Sequence, residues 1–326
     1  MDDFASSTLV AAVRRALADD GIDAASSAPV ADGALLPFDV KRRFLGGVAR
    51  AYGLLPLLRV GVVLPKIASD PVVAALLGAE GPPELLERWR RLERFTRSRH
   101  HVVFREAGER DLLAEHAGPP GAPPEPAENV LVLGVLTVLL TMTGARDLTV
   151  TAGRDRRTVV FADGVFRAPP PGCDTSLWRF TWLWPLRRAP SNPAPPAPAH
   201  AAAPDLDPVS RARTLLAGDL ARRWTLDVVA AELGTSSRSL QRRLQGAGGF
   251  QGLLGSIRTE AAAGLLLAGE HAPCLVGFAC GYADQPHFTR EFKRRTAVTP
   301  AAYRAAFARR PGPGRTDHHS TKESHG

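Results

Sequence analysis

Four hydrogen-bonding side chains fall on one side of a predicted helix within the stretch TSSRSLQRRLQ. At about 100° per residue, two leucines lie on one face, and the opposite face carries Arg238, Gln241, Arg242 and Gln245. A helix that faced water would more often carry charges of both signs there. Guanidinium and amide groups are instead the donors that suit guanine and adenine edges in the major groove of DNA. Arg243 lies nearer the flank, where contact with the phosphate backbone is favoured.

Start and stop signals around this stretch predict two short helices and a tight turn. Thr225 is a good cap for the first helix, and Asp227 places negative charge in its first turn, where the helix dipole favours it. Gly234 ends that helix, and Ser236 caps the next one after a short turn. This spacing is typical of a helix-turn-helix unit.

The same pattern recurs further along the chain, in GYADQPHFTREFKRR. Gly281 would end one helix and Asp284 would cap the next. Because Pro286 lacks an N–H, the Asp284 carboxylate must accept a hydrogen bond from the amide of His287. Two phenylalanines point inward, which leaves an outward face formed by Pro286, His287, Arg290 and Arg294. Lys293 lies nearer the flank and favours phosphate contact, and for His287 a purely structural place at the helix start is an equal alternative.

Apolar residues between the two units predict one connecting helix. They form a stripe made of Leu254, Ile257, Ala261 and Leu265. A helix of about 18 residues spans roughly 27 Å. That length suits holding two recognition helices about one DNA turn, roughly 34 Å, apart on one face. A single unit would be weak evidence, whereas two in tandem joined by such a helix favour DNA binding strongly.

This segment resembles the DNA-binding domain of the AraC/XylS family of bacterial transcription regulators. The resemblance covers about residues 205–307 and is carried by TSSRSLQRRL, by Arg258 with Ala262, Leu265 and Leu266, by GYADQPHFTREFKRR and by VTPAAYR. It implies a cytoplasmic regulator that places both recognition helices in adjacent major-groove segments of a promoter. It also implies base contacts by Arg238, Gln241, Arg242, Pro286, His287 and Arg290, and backbone contacts by Arg243, Lys293 and Arg294.

The segment departs from the family pattern at three positions. Gly277 and Cys280 stand where the family usually has alanine and leucine, and Ala297 stands where it usually has glycine. Gly277 should weaken its helix by roughly 0.5–1 kcal/mol relative to alanine. This predicts that the second unit is the less rigid of the two. Pro286 cannot hydrogen-bond a base through its side chain, so it would contact a thymine methyl group or only shape the helix start.

Charge and proline content divide the chain of 326 residues into two expected domains. Between residues 205 and 310, 15 basic residues stand against 9 acidic ones, so this segment carries six of the eight net positive charges. Six prolines and no charged residue between 190 and 204 predict an extended spacer. We therefore expect an effector-binding or dimerisation domain at 1–188, a linker at 189–204, the DNA-binding domain at 205–310 and a disordered tail at 311–326. The acidic start is unlike a secretory signal, and three cysteines are too few for a disulfide framework. The longest uncharged apolar run, residues 130–142, is shorter than the roughly 20 residues that span a bilayer. Together these features predict a cytoplasmic protein without membrane contact.

Patterning in the first domain predicts an α+β fold, with helices first and a small, largely antiparallel sheet after them. The expected helical stripes are Leu9, Val13 and Leu17, then Val40, Phe44, Val48 and Tyr52, then Leu85, Trp89, Leu92 and Thr96. Asp70 and Pro71 would begin a short helix that Gly78 ends. The segments HHVVFREAG and RDLLAEHAG predict a hairpin, residues 128–144 a buried helix, and DLTVTAG, RTVVFADGVFRA and SLWRFTWLWP three further strands.

Six arginines between Arg88 and Arg99 allow two interpretations. They could contact nucleic acid. However, the glutamates of this helix stand four residues before an arginine, the favourable order for helix ion pairs, in Glu84–Arg88, Glu87–Arg91 and Glu93–Arg97. We therefore expect a salt-bridged, solvent-exposed face.

Two classes of function stay open. The leading one is a transcription regulator that binds double-stranded DNA, acts with RNA polymerase and is modulated through the first domain by a small molecule or by homodimerisation. By its element order and by the stretches LLERWRRLERF and AENVLVLG, the first domain resembles the effector and dimerisation domain of the arabinose-binding-like AraC/XylS branch, whose members begin with helices. A regulator without any ligand, whose first domain only dimerises, is also open. The competing class is an enzyme delivered by the DNA-binding module, as in some DNA-repair methyltransferases, although none of the three cysteines stands in a recognisable acceptor motif. No pattern indicates a cofactor or a metal, because His100 and His101 point to opposite faces and Cys274 and Cys280 lack partner histidines.

Overall fold

The computed structural model of the protein describes residues 4–5, 7–22, 36–155, 157–183, 207–269 and 271–307. Its amino-terminal part begins with β1 (Phe4–Ala5), α1 (Ser7–Asp19), β2 (Leu36–Pro37), α2 (Phe38–Tyr52), α3 (Leu55–Leu58), a 3₁₀ helix (Arg59–Ile67), α4 (Pro71–Leu77) and α5 (Pro82–Thr96). It continues with β3 (His101–Ala107), β4 (Asp111–Ala117), α6 (Pro126–Met142), β5 (Arg146–Ala152), β6 (Thr158–Ala162), β7 (Val165–Phe166) and β8 (Leu177–Leu183). This order confirms the α+β prediction of helices followed by a sheet.

The sheet has six strands in the order β3-β4-β8-β5-β6-β7, and every neighbouring pair is antiparallel. Because side chains alternate between the two faces of a strand, one face of the central strands is buried. That face includes Leu112, Val150, Trp178 and Phe180, each with 0% of its surface exposed. The buried helix predicted at 128–144 is α6, which packs on β5 and against the helices that precede the sheet.

Two local features explain how the helices fit around α6. The Asp70 carboxylate accepts hydrogen bonds from the amides of Val72 and Val73, and Pro71 follows at the first helical position, as predicted for the start of α4. Gly134 lets α6 approach α3, because a Cβ at this position would collide with the carbonyl group of Leu58. Helices at this separation bury both backbones together with their side chains.

In the described residues of the carboxyl-terminal part, all regular secondary structure is helical. It consists of α7 (Pro208–Gly218), α8 (Leu226–Glu232), α9 (Ser237–Leu244), a 3₁₀ turn (Gln245–Ala247), α10 (Gly249–Ala268), α11 (Pro273–Ala279), α12 (Gln285–Thr296) and α13 (Pro300–Phe307). The pairs α8–α9 and α11–α12 occupy the two predicted helix-turn-helix positions. The connecting helix, α10, has 20 residues and is therefore about 30 Å long, slightly longer than predicted.

Three details of the prediction are wrong. RTVVFADGVFRA forms two strands, β6 and β7, because Asp163 and Gly164 both have positive φ and close a two-residue hairpin turn. Tyr52 ends α2 half exposed, so the apolar stripe of that helix stops one turn earlier. On α10 the buried stripe passes through Ala262 and Leu266, while Ala261 and Leu265 are only partly buried.

Several predicted segments lie outside the described residues, namely the linker at 189–204, the tail at 311–326 and Trp184. The side chain of Leu9 is also outside the description. Within the described part of the chain, no single helix has the length and apolar character needed to cross a membrane, although the bent pair Leu55–Ile67 and Pro71–Leu77 has both when taken together.

Candidate nucleic-acid interface

Side-chain caps fix the two helices of the first unit as predicted. The Thr225 hydroxyl accepts a hydrogen bond from the amide of Val228 at 3.2 Å, and the Ser236 hydroxyl accepts from the amide of Ser239 at 3.2 Å. Each cap satisfies an amide that the first helical turn would leave unpaired. The two caps therefore set where α8 and α9 begin, and with them the angular position of every side chain on α9.

One face of α9 is buried and the other is free. Leu240 and Leu244 lie in the core formed by α7, α8 and α10. The opposite face is exposed and carries Arg238, Gln241, Arg242, Arg243 and Gln245. No acidic side chain among the described residues forms an ion pair with these three arginines. Their guanidinium groups are therefore available to a polyanion without first losing an internal partner.

The second unit repeats the turn of the first. The amide of Thr235 donates to the carbonyl of Ala230 at 2.9 Å, and the amide of Tyr282 donates to the carbonyl of Gly277 at 3.1 Å. The glycines that end the first helices, Gly234 and Gly281, have φ of 65° and 77°. Both units thus use the same carboxyl-terminal helix cap, which requires a residue that tolerates the left-handed region.

The cap of α12 is the one that the proline dictates. The Asp284 carboxylate accepts from the amide of His287 at 2.7 Å, as predicted. His287 is half-buried, its ring lies against the Tyr282 ring, and its Nδ1 accepts from the amide of Ala283. In the neutral ring the proton is therefore on Nε2, which makes Nε2 a donor to a base or a phosphate. Pro286 is exposed next to it.

The remaining cations of α12 differ in their availability. Arg290 and Lys293 are exposed, and no described residue forms an ion pair with either. Arg294 is also exposed, but it donates two hydrogen bonds to the Glu291 carboxylate, at 3.0 and 2.6 Å. Together with Arg295, Arg294 lowers the pKa of Glu291 to about 2, against the smaller opposing effect of burial. Arg294 therefore has to share its charge with Glu291 in any contact with DNA.

The helix α10 braces the two units, since it packs against both α9 and α12. Its side chain Arg258, part of the family resemblance, is half-buried and donates to the carbonyl of Leu220 at 3.3 Å. The same carbonyl lies where a Cβ on Gly281 would be, so the turn of the second unit closes on the segment that precedes the first. The two recognition helices are thus parts of one packed body.

The arginine cluster of α5 was predicted to be an exposed, salt-bridged face. The predicted Glu84–Arg88 ion pair forms, but the predicted exposure of Arg88 and the predicted partner of Arg91 are wrong. Arg88 is only 2% exposed and donates to Glu84 and to Asp219, the residue that follows α7. Arg91 donates to the carbonyl of Ala221 at 2.9 Å instead of pairing with Glu87. Periodicity could not reveal this, because the partners come from the other domain.

The same surface of α5 packs on the second helix-turn-helix unit. The Phe95 and Phe278 rings contact edge to face with centroids 6.4 Å apart, and the Arg91 guanidinium lies over Phe278. Gly277 on α11 is a point of close approach, because a Cβ there would lie 2.7 Å from both the Phe95 and the Phe288 rings. The departure from the family pattern at Gly277 therefore makes room for the first domain.

Comparisons with known proteins match the carboxyl-terminal part. A family profile described as a helix-turn-helix domain covers residues 229–306. Over 91 residues the chain is 32% identical to the HTH-type transcriptional activator FapR of Escherichia coli. The aligned segment covers 28% of this chain and 35% of FapR. Over 94 residues it is 29% identical to the DNA-binding dual transcriptional regulator Rns of Escherichia coli, 28% of this chain and 36% of Rns. The C-terminal domain of AraT, a response regulator from Geobacillus stearothermophilus, is 32% identical, covering 35% of this chain and 97% of that domain with a TM-score of 0.32.

The carboxyl-terminal domain is a DNA-binding domain of the AraC/XylS type. The chain spans about a third of the length of the curated relatives that it matches. Within the AraC/XylS-type domain, the caps and the two exposed faces stand where the sequence placed them. The base and backbone contacts assigned to individual side chains remain predictions.

Proposed function

We propose that this chain is a sequence-specific transcription regulator whose helices α9 and α12 enter adjacent major-groove segments of one duplex. The observation that carries the proposal is the pair of exposed faces. They hold five cations that form no ion pair with a described residue, namely Arg238, Arg242, Arg243, Arg290 and Lys293. The AraC/XylS-type domain and its relatives among transcription activators and regulators support it. Base contacts belong to Arg238, Gln241, Arg242, Pro286, His287 and Arg290 in this proposal.

The test is selection of bound sequences from a random duplex library by the full chain, followed by affinity measurements at several salt concentrations. Arg242→Ala and Arg290→Ala should each weaken binding by about 1–3 kcal/mol and relax the sequence preference at different positions of the site. Arg213→Ala is the matched control, because this exposed arginine of α7 pairs with Glu260 away from both faces. Equal losses on all sequences for Arg242→Ala and Arg290→Ala would contradict base reading by these residues.

Backbone contact has a different signature in the same measurement. Arg243→Ala and Lys293→Ala should weaken binding to all sequences alike and should each reduce the slope of log K against log salt by about 1. Arg294→Ala should reduce that slope less, since Glu291 already takes part of its charge. An unchanged slope in the Arg243 variant would remove that side chain from the interface.

The competing enzyme hypothesis needs a reactive thiol, and two cysteines are unsuited to that role. Burial raises the pKa of the Cys280 thiol to about 12 and also raises the pKa of Cys274. A methyl-accepting thiolate requires a lowered pKa. Cys173→Ser, Cys274→Ser and Cys280→Ser should therefore each keep promoter binding. A loss of methyl transfer from methylated DNA in any of the three variants would support the enzyme.

The proposal includes partners that act through the first domain. A homodimer in the cytoplasm would present four recognition helices to a promoter, and contact with RNA polymerase would turn occupancy into altered transcription. Sedimentation of the full chain with and without its selected duplex measures the stoichiometry. One chain per duplex at every protein concentration would exclude the homodimer.

A further inference from the structure

The first domain contains a cavity of about 160 Å³ directly beneath the domain interface. Its walls are mostly apolar side chains from α1, the 3₁₀ helix, α4, α5 and α6, among them Leu64, Val73, Leu92, Val132 and Val135. An engineered apolar cavity of similar volume holds benzene. The space therefore matches a compact organic molecule with about six to eight heavy atoms.

One polar group in the wall is left half-used by the protein. Both hydrogen bonds that Glu93 accepts, from the indole N–H of Trp89 at 2.8 Å and from the amide of Val102 at 2.9 Å, go to Oε1. No described residue donates to Oε2. Glu93 also lacks an ion pair within the described part of the chain, although it lies on the helix that is richest in arginine.

The cationic side chains that reach this cavity have other partners. Lys41 lies 3.2 Å from the Glu128 carboxylate, and Arg99 lies over the Phe38 ring. His116 donates from Nδ1 to the Asn129 side-chain oxygen, and burial lowers its pKa to about 4, so it is neutral near pH 7. Among the described residues, the cavity thus has one carboxyl group that forms no ion pair, whereas the cations that reach it have other partners.

We propose that this cavity is a binding site for a small apolar amine, whose ammonium group pairs with the Glu93 carboxylate, and that α5 transmits its occupancy to the second helix-turn-helix unit. The ligand would supply the cation that Glu93 lacks, and its hydrocarbon part would fill the apolar space. Both charged partners lose water when they pair, which costs free energy. The charge-assisted hydrogen bond and the burial of the ligand's hydrocarbon part in a site that is already formed offset that cost.

The transmission step follows from the two faces of α5. Trp89, Leu92 and Glu93 line the cavity. Arg88, Arg91 and Phe95 contact the DNA-binding domain from the other side of the same helix. A shift or stiffening of α5 on ligand binding therefore changes the surface on which α11 rests. This half of the proposal depends on the DNA-binding function proposed above, whereas the binding site does not.

Binding should depend on pH, because burial raises the pKa of Glu93 to about 7. The groups that face this carboxyl are Lys41 on α2, Arg99 and His100 after α5, His116 on β4 and Arg90 on α5 itself, while the cavity walls from α1, α4 and α6 are uncharged. Only the ionised carboxylate pairs with an ammonium group. Because an alkylamine stays protonated throughout, its affinity should rise about tenfold from pH 6 to pH 8, as the ionised fraction rises.

The experiment uses the full chain and three alicyclic probes of similar size, cyclohexylamine, cyclohexanol and cyclopentanecarboxylate, with binding measured by calorimetry and by the rise in melting temperature. Cyclohexylamine should bind most tightly and show the pH dependence. Glu93→Gln, which keeps the Oε1 acceptor, should lower its affinity at least tenfold and abolish the pH dependence, and Glu87→Gln on the exposed side of α5 should change neither. Tighter binding of the carboxylate, or a wild-type affinity that is equal at pH 6 and pH 8, would overturn the site, and the latter result needs no variant.

Transmission is measured as the affinity for a selected duplex with and without saturating cyclohexylamine. We expect a change of threefold or more in wild type and a smaller change in Arg88→Met, which loses the contact between α5 and Asp219 but keeps those of Arg91 and Phe95. An unchanged affinity in wild type would overturn the transmission alone. If the chain selects no duplex at all, the proposed function fails, and the calorimetry still decides whether the amine site exists.

Discussion

The ion pair between Arg88 and Asp219 gives the domain interface a measurable strength. Arg88 donates to both Asp219 oxygens, at 3.2 and 2.6 Å, and to Glu84, while its side chain is 2% exposed and that of Asp219 is 23% exposed. A hydrogen bond to a charged group contributes roughly 1.5–3 kcal/mol when buried. Because Asp219 is partly exposed and Glu84 competes for the same guanidinium, we expect a coupling of about 2 kcal/mol between the two residues.

The assay is a double-mutant cycle with Arg88→Met, Asp219→Asn and the double variant, each unfolded in urea as the full chain. Asn at 219 keeps an acceptor for the amides of Ala221 and Arg222, so the cycle isolates the contact with Arg88. The control cycle is Arg213 with Glu260, an exposed pair whose coupling should stay below about 0.5 kcal/mol. If Arg88 and Asp219 couple no more strongly than this control pair, the interface does not hold the two domains together in solution and the reasoning fails.

Three further outcomes follow from the described contacts. Gly277→Ala should destabilise the chain by about 1–3 kcal/mol in urea unfolding, although alanine favours a helix, because its Cβ would meet the Phe95 ring; a more stable variant would refute the close packing. Ser236→Ala should lose about 1 kcal/mol with the cap of α9, and an unchanged midpoint would show that the cap is not needed. Burial holds His116 neutral with a pKa of about 4, so the unfolded chain takes up its proton first and stability contributed by this residue falls as the pH drops from about 6.5 to 4. Glu93, with a pKa raised to about 7, opposes that trend between pH 4.5 and 7. The effect of His116 is therefore measured as the difference in free energy of unfolding between wild type and His116→Asn. This difference should shrink as the pH falls from about 6.5 to 4.

Local chemistry explains what the sequence could predict. Capping by Thr225, Ser236 and Asp284 depends on neighbours within three residues, so the helix starts of both units followed from residue type and spacing. The hairpin inside RTVVFADGVFRA also has a local signal, because Asp163-Gly164 favours a two-residue turn, and this signal outweighs the pattern that predicts a single strand there.

Contacts across the domains explain what the sequence could not predict. Arg88 and Arg91 have the spacing of an exposed helix face, and they are buried only because residues more than a hundred positions away cover them. Glu93 was expected to pair with Arg97, yet it accepts hydrogen bonds from Trp89 and Val102. A helical period gives the direction of a side chain and does not show whether protein or water lies there.

The glycine at position 277 has a consequence for anyone who wishes to exchange parts between such proteins. Because Gly277 leaves room for the Phe95 ring, a carboxyl-terminal domain from another protein with alanine at this position would not pack on α5. Its α7–α8 loop would also need an aspartate to pair with Arg88. A chimaera should therefore keep this protein's own α11 and α7–α8 loop. Only the outward-facing side chains of α9 and α12 should come from the other protein. The surface that packs on α5 and the exposed faces of α9 and α12 are separate in this molecule, so each can be redesigned without changing the other.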